Sequence, residues 1–342
     1  MARAIALLSG GLDSTLSVVI MTRQGIEVTA ITFLTHFGCD ITDSSSCSGD
    51  SSHNAKKFGF ELKLCHLSEK FIEIVKNPRY GHGRNMNPCI DCRVLMLKEA
   101  KELMRITGAD FIITGEVIGQ RPMSQRRETF PFIDKEAHVE GYVLRPLSGR
   151  LLKPTIPEIN GLVSRDKLYA ISGRSRKPQI ALAKELCLTD YPAPAGGCLL
   201  TEPNYSHRLR ELLWHAPEPS LNDLYLLRLG RHFRLPSGHK AIVGRNENEN
   251  KRLERLAGSR DYLMKVEDFG SPITLLEGLG DDNDILISAS ICSRYSDAKH
   301  IRDVRVRVIH GKEVFYLTVN PADDDLIESL RIGKRQWVHA KV

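Results

Sequence analysis

The residues near the N-terminus constrain the fold most strongly, because a short apolar run passes directly into a glycine-rich turn. Residues 5–14 read IALLSGGLDS, and the apolar residues 16–21 then continue as a helix. Such a run is typical of a buried parallel strand. Glycines let the backbone approach a ligand closely, and the free amides and dipole of a helix N-terminus attract phosphate. The pattern predicts a strand, an anion-binding loop and a helix.

Two common nucleotide-binding motifs do not fit this turn. No Gly-Lys-Ser/Thr follows the glycines, as a Walker loop requires, and the G-x-G-x-x-G spacing of dinucleotide-binding folds is missing. An ordinary glycine-rich turn without a ligand remains the alternative.

Later apolar runs predict further parallel strands at residues 26–33, 61–67, 109–115 and 142–146. Ligands in open α/β sheets bind at the carboxyl ends of strands, so we expect Thr32 and Phe33 to lie beside the nucleotide. Gly115 ends the fourth strand and permits close approach of the backbone to a ligand. We therefore predict an α/β, Rossmann-like domain with a parallel sheet. Its helices are predicted at residues 53–60, 71–80, 94–104, 153–170 and 177–187.

The eight cysteines are more consistent with metal or redox chemistry than with a disulfide framework. Cys89 and Cys92 form a C-x-x-C at the start of a predicted helix. A helix N-terminus lowers a thiol pKa, so we expect both to be thiolates. A zinc half-site and a redox dithiol are the alternatives, although a zinc site would need a second C-x-x-C, which the sequence lacks.

Two other cysteine-bearing segments read as loops. Residues 37–52 are polar and serine-rich, and they carry Cys39 and Cys47. Residues 191–201 are rich in Pro and Gly and contain Cys198, which by itself is weak evidence for a site.

The formal net charge is +6, which is compatible with a polyanionic partner. No apolar run reaches membrane-spanning length, and the first apolar run is needed as a strand, so we expect a cytoplasmic protein without membrane contact. Two basic clusters are either a solvated face or contacts to RNA phosphates: Arg121, Arg126, Arg127, Arg174, Arg176 and Lys177.

The pattern changes after residue 203, and we predict two domains, 1–203 and 204–342. A polar helix at 204–214 and a charged helix at 246–257 accompany short strands and turns. We expect the second domain to be α+β. Its strands are predicted at residues 273–276, 285–290, 304–310 and 314–319.

Three stretches together resemble the tRNA thiouridine synthases of the PP-loop ATP pyrophosphatases, enzymes that cleave ATP to AMP and pyrophosphate. They are SGGLDS (9–14), the pair NPCIDCR (87–93) and GGCLL (196–200), and ITGEVIGQRPMSQ (113–125) with VLRPLSG (143–149). The third is more similar to 4-thiouridine synthases than to 2-thiouridine synthases. The resemblance covers residues 1–203. Residues 227–253 are similar to the RNA-binding domain of NFACT proteins.

The resemblance implies a set of site residues. ATP and Mg²⁺ are expected cofactors, with Asp13 supporting both the loop and the metal. Cys92 and Cys198 are the implied catalytic cysteines, and with Cys89 they are the implied ligands of a [4Fe-4S] cluster. The implied nucleotide-binding residues are Ser9, Gly10, Gly11, Asp13, Ser14, Thr32, Phe33, Gly115 and Gln120. The NFACT-like module would supply tRNA affinity through Arg228, Arg231, Arg234, Lys240 and Arg245.

The implied chemistry replaces a uridine carbonyl oxygen, which we expect to be O4, by sulfur. Adenylation makes that oxygen a leaving group. Sulfur then attacks as sulfide held by the open iron of a three-cysteine cluster, or as a persulfide on Cys198 or Cys92. We favour the cluster, because three cysteines are more than a persulfide relay needs. The donor is sulfide, a cysteine desulfurase or a persulfide carrier.

Two other functions compete with this hypothesis. One is a PP-loop sulfur insertase or amide synthase acting on a small molecule, and the other is a non-catalytic RNA-binding protein. The intact SGGxDS string argues against the second. The oligomeric state stays open, with a homodimer among the options.

Overall fold

The structure is a computed structural model that describes residues 1–38, 51–189, 191 and 198–333. It divides into two compact units, and these are unit 1, Met1–Thr201, and unit 2, which begins at Glu202. The predicted boundary followed residue 203. Cys39 and Cys47 lie outside the described residues.

Unit 1 is built on a parallel sheet of five strands in the order β3-β2-β1-β4-β5, which confirms the predicted fold class. The central strand β1 pairs with β2 on one side and β4 on the other. Ligands in such sheets bind at the carboxyl ends of the strands where the order reverses. The strands are β1 Arg3–Leu7, β2 Glu27–Leu34, β3 Glu61–His66, β4 Phe111–Thr114 and β5 Val143–Leu144.

Both faces of this sheet are covered, and β1 alternates between two apolar cores. Ala4 and Ala6 belong to the core that contains the first helix, whereas Ile5 and Leu7 belong to the core that contains Val94 and Leu97 of the fourth helix. This explains why β1 reads as a continuous apolar run. The helices of unit 1 are α1 Leu12–Thr22, α2 Ser51–Phe58, α3 Ser68–Lys76, α4 Cys89–Thr107, α5 Thr129–Glu136, α6 Ile156–Ile159 and α7 Lys177–Glu185.

The long helix predicted over residues 153–170 is wrong. The segment forms only the single turn of α6 and a 3-10 turn at Arg165–Lys167. Thr155 and Glu158 close a capping box that starts α6. Gly161, at φ +73°, then takes the left-handed conformation that ends it.

Unit 2 contains an antiparallel sheet in the order β11-β10-β8-β9-β7-β6, with helices packed on it, so the α+β prediction is confirmed. The strands are β6 Arg231–Arg234, β7 Lys240–Val243, β8 Tyr262–Val266, β9 Thr274–Leu276, β10 Val304–His310 and β11 Glu313–Val319. The helices are α8 Pro203–His215, α9 Leu221–Leu226, α10 Glu247–Leu256, α11 Asp282–Arg294 and α12 Asp324–Leu330.

The strand predicted at residues 285–290 is instead part of helix α11. Asp281 and Asp284 form a capping box, a helix-start signal that the apolar run 285–290 conceals. Ile285, Ala289 and Cys292 recur at helical spacing and are buried in the core of unit 2.

In the described ranges, no helix is both long enough and apolar enough to cross a membrane.

Candidate active site and RNA-binding surface

The loop between β1 and α1 is held in place by its own serines. Ser14 Oγ donates to the carbonyl oxygen of Gly11 at 2.9 Å and accepts from the Ser9 amide at 3.2 Å. Gly10 has φ +75°, a conformation that glycine adopts without strain. Gly11 is the N-cap of α1 and has no side chain to cap the helix, so the first amides of α1 are suited to an anionic ligand.

A cavity of about 360 Å³ lies beside this loop and brings together ten of the twelve predicted site residues. The remaining two, Gly10 and Thr32, lie outside the lining. Thr32 is buried, and its hydroxyl donates to the carbonyl oxygen of Leu8 at 2.9 Å. The predicted residues that line the cavity are Ser9, Gly11, Asp13, Ser14, Phe33, Cys89, Cys92, Gly115, Gln120 and Cys198.

Asp13 presents one occupied and one vacant carboxylate oxygen. Its Oδ2 accepts from Gln120 Nε2 at 2.7 Å, and Gln179 Nε2 lies 3.5 Å from Gln120 Oε1. Asp13 Oδ1 is buried and accepts no hydrogen bond from the part of the chain that the structure describes. A buried carboxylate oxygen of this kind fits a hard divalent cation such as Mg²⁺. Sequence reasoning missed Gln179, which is fully buried on α7.

Gly115 is needed by the loop itself. A Cβ at this position would lie 2.5 Å from both the amide nitrogen and the Cα of Ser14, and 2.8 Å from the carbonyl carbon of Asp13. The end of β4 therefore packs directly on the backbone of the anion-binding loop. The sequence predicts that this glycine approaches a ligand, whereas the structure shows that it lies against the first turn of α1.

The three predicted cysteines come from two distant segments and line the same cavity. Cys89 and Cys92 lie in the first turn of α4, three residues apart. Between them, the carboxylate of Asp91 accepts from the amides of Arg79 at 3.0 Å and Tyr80 at 3.2 Å, which fixes the start of the helix.

The prediction that Cys89 and Cys92 are thiolates is wrong. Burial raises the pKa of Cys92 to about 12 and the pKa of Cys198 to about 11. Burial also raises the pKa of Cys89. Arg93 favours the Cys89 and Cys92 thiolates, but the loss of water outweighs this attraction. Burial therefore favours the thiol form of all three side chains at neutral pH.

The iron–sulfur prediction finds no support in the geometry. Within the described ranges, no group of three or more His, Cys, Asp or Glu side chains could hold a metal ion. The three-cysteine ligand set stays a prediction.

A buried ion-pair network borders the cavity, and sequence reasoning did not identify it. Arg145 donates to Asp134 through two nitrogens, at 3.0 and 2.7 Å, and to Glu116 Oε2 at 3.0 Å. Glu116 Oε1 lies 3.4 Å from Arg93 Nε. Glu116 and Arg93 also line the cavity, so the network connects the cysteine segment to the end of β4.

Four of the six predicted basic residues of unit 1 divide into two groups. Arg121 and Arg176 line the cavity, where their charge suits a polyphosphate. Arg126 and Arg127 donate to the carbonyl oxygens of Pro122 at 2.5 Å and Leu151 at 2.9 Å, so both are engaged on the protein surface.

In unit 2, three of the basic residues that we predicted to contact RNA form ion pairs inside the unit. Lys240 is buried and lies 2.7 Å from Glu277. Arg234 donates to Glu211 at 2.5 Å, and Arg245 is paired with Glu249. Arg231 lies over the ring of Tyr295, with 4.7 Å between the guanidinium carbon and the ring centroid.

A basic and aromatic sheet face, which sequence reasoning missed, is exposed instead. Arg307 of β10 pairs with Lys265 of β8 and with Tyr316 of β11, and Arg305 lies 4.1 Å from the ring centroid of Tyr316. All four side chains are exposed. Strand alternation could have identified the two arginines, because Arg305 and Arg307 alternate with the buried valines of β10. We call these four residues the basic sheet face.

Together, the parallel sheet, the SGGxDS loop and the cavity beside it define a PP-loop nucleotide-binding domain, joined to an antiparallel-sheet domain. Residues 1–162 match the family model described as thiamine biosynthesis protein (ThiI), and residues 230–331 match the model described as NFACT protein RNA binding domain. Unit 1 is thus similar to ThiI proteins over residues 1–162, and unit 2 is similar to NFACT RNA-binding domains over residues 230–331.

Curated relatives include the tRNA-specific 2-thiouridylase MnmA of Herpetosiphon aurantiacus, 26% identical over 78% of this chain and 73% of the relative. The enzyme of the same name from Pseudomonas fluorescens is 24% identical over 84% of this chain and 75% of the relative. Among solved structures, a 4-thiouridine synthetase–RNA complex with bound ATP is 21% identical, with a TM-score of 0.35. That match covers 55% of this chain and 52% of the other.

Proposed function

We propose that this protein is an ATP-dependent tRNA sulfurtransferase of the cytoplasm, which adenylates a uridine carbonyl oxygen and replaces it by sulfur. The observation that carries the proposal is that one cavity is lined by both the anion-binding loop and three cysteines. A reaction in which ATP activates a carbonyl oxygen and sulfur then attacks the adjoining carbon needs a nucleotide-binding loop and sulfur-bearing side chains in one cavity.

The loop residues have distinct roles in activation. The amides around Gly11 and the N-terminus of α1 bind the pyrophosphate portion of ATP, and Arg176 and Arg121 balance its remaining charge. Asp13 Oδ1 is the oxygen available to Mg²⁺, which when bound neutralises phosphate charge. Gln120 holds Asp13 in place. The uridine oxygen attacks the α-phosphorus, and pyrophosphate leaves.

Two of the three cysteines suffice for the sulfur step. A persulfide on Cys92 or Cys198 bonds through its terminal sulfur to the activated uridine carbon, and AMP leaves with the C–O electron pair. The second cysteine then attacks the inner sulfur. The S–S bond breaks towards the base, which becomes thiouridine, and an enzyme disulfide remains. An external thiol reduces that disulfide.

We assign the reaction to O4 because the segment ITGEVIGQRPMSQ is more similar to 4-thiouridine synthases than to 2-thiouridine synthases. The curated relatives named above are 2-thiouridylases, so the product must distinguish the two positions. Incubation with ATP, an unmodified tRNA transcript and a persulfide donor should yield 4-thiouridine by nucleoside mass spectrometry. Pyrophosphate release should rise when tRNA is added.

Other outcomes separate the alternatives. Formation of 2-thiouridine would move the reaction to O2. Pyrophosphate release that ignores tRNA would favour a small-molecule substrate, and tRNA binding without pyrophosphate release would favour a non-catalytic protein. Iron and sulfide retained by anaerobically purified protein, but lost in Cys198→Ala, would restore the cluster route.

A further inference from the structure

A second cavity, in unit 2, is unusually rich in arginine. Its volume is about 540 Å³, and its lining contains Arg208, Arg231, Arg245 and Arg331. Glu328 is the one carboxylate among the described lining residues, and it lies 3.9 Å from Arg331. We call this cavity the arginine pocket.

The carboxylates near the pocket are already engaged by other groups. Glu249 is paired with Arg245 and also accepts from the amide of Gly230 at 3.2 Å. Glu202 accepts from the amides of Asn204 at 3.1 Å and Tyr205 at 2.5 Å, at the start of α8. Glu202 and Glu249 attract the Arg208 guanidinium, but neither forms an ion pair with it in the described part of the chain.

Arg208 is the lining residue whose guanidinium has a buried N–H group without an acceptor in the described ranges. Its Nη1 donates to the carbonyl oxygen of Leu227 at 3.0 Å, whereas its Nε is buried and lacks a hydrogen-bond partner in the described residues. Burial and then the repulsion of Arg245 lower the pKa of Arg208 to about 10, although Glu202 and Glu249 act in the opposite direction. Buried donors are normally satisfied, so an unsatisfied guanidinium N–H in a basic cavity indicates a missing acceptor.

We infer that the arginine pocket binds a phosphate group of the RNA substrate, with Arg208 and Arg231 as its donors. Guanidinium groups match phosphate geometry, and a cavity suits a phosphate that projects from the RNA better than a flat surface does. The inference rests on the proposed function for its ligand and assigns to unit 2 a phosphate contact separate from the basic sheet face.

The test measures binding of a fluorescent tRNA transcript by anisotropy over a range of salt concentrations. Arg208→Gln and Arg231→Gln should each weaken binding at least about tenfold and lower the salt slope by about one. Arg255→Gln is the matched control, because Arg255 is exposed on α10 of the same unit and does not line the pocket. Thermal melting and ATP affinity check that the variants fold and that unit 1 is unaffected.

Transcripts with a 5′-monophosphate or a 5′-hydroxyl identify the source of the phosphate. Weaker binding of the 5′-hydroxyl transcript to the wild type, but not to Arg231→Gln, would assign the terminal phosphate. Equal binding of both transcripts, with the losses in the pocket variants retained, would assign an internal phosphate. If both pocket variants bind like Arg255→Gln, the inference is overturned while tRNA thiolation by the wild type still stands. Pocket-dependent binding without thiouridine formation would instead overturn the proposed function alone.

Discussion

Replacing Gly115 by alanine tests whether the end of β4 fixes the shape of the nucleotide loop. The added Cβ would lie 2.5 Å from the amide nitrogen and Cα of Ser14, and ordinary contacts begin near 3.4 Å, so the two backbones must separate by about 0.9 Å. The obstacle is backbone on both sides, which no rotamer change relieves. Overpacking of this kind costs about 1–3 kcal/mol of stability.

The effect on catalysis should exceed the effect on stability. A displacement near 1 Å at a site that positions reacting groups lowers the rate about 100-fold. We therefore expect Gly115→Ala to lower kcat/KM for pyrophosphate release by about two orders of magnitude while the protein stays folded.

The assay is continuous detection of pyrophosphate, with thermal melting in parallel. Gly258→Ala is the control, because the nearest atom to its added Cβ lies 3.4 Å away and its φ is not in the left-handed region. Wild-type kcat/KM and melting temperature in Gly115→Ala would refute the claim that this contact sets the loop.

Asp13→Asn should keep its contact to Gln120 but lower pyrophosphate release about 100-fold and weaken the Mg²⁺ dependence; an unchanged Mg²⁺ titration would remove the metal role. Because the pKa values of Cys92 and Cys198 are raised to about 12 and about 11, their alkylation at pH 7.5 should be slow and rise about tenfold per pH unit. Peptide mass spectrometry should find Cys187, which is exposed, labelled before Cys92 and Cys198, and early labelling of Cys92 would contradict the burial. Arg145→Met leaves the buried carboxylates of Glu116 and Asp134 without their cation and should lower the free energy of urea unfolding by about 3–5 kcal/mol. A decrease below about 1 kcal/mol would show that the network is dispensable for stability. Removal of unit 2 should abolish tRNA binding in anisotropy, whereas undiminished binding would place RNA recognition in unit 1.

The parallel sheet was predictable because each of its central strands is buried on both faces and reads as an apolar run. The same rule failed at Ile285, where an apolar run lies within a helix. The length of an apolar run does not distinguish a strand from a buried helix. The capping box at Asp281, which lies before the run, is the signal that indicates a helix. The turn at Gly161 likewise depends on a left-handed glycine that residue periodicity does not reveal.

At the site, motif spacing identified the residues that contact a shared cavity but not their electrostatic state. The position of Cys92 at a helix start favours a thiolate, but its burial is set by the whole fold and prevails. The contacts made by Arg145 and Gln179 were also invisible, since each depends on a partner that is distant in the sequence. For the same reason Lys240, which looked available for RNA, is paired with Glu277 inside unit 2.

The protonated cysteines have a consequence for how such a site would control its reaction. An adenylated uridine reacts with water as well as with sulfur, so the cavity must exclude water while sulfur is delivered. The burial that raises the pKa of Cys92 and Cys198 is the same desolvation that would protect the activated base. A resting thiol is then unreactive, and a persulfide arriving from a donor supplies the nucleophile only when it is needed. On this reasoning, substitutions that open the cavity should increase AMP and pyrophosphate formation relative to thiouridine. Equal ratios in the wild type and in Phe33→Ala, which widens the lining, would contradict it.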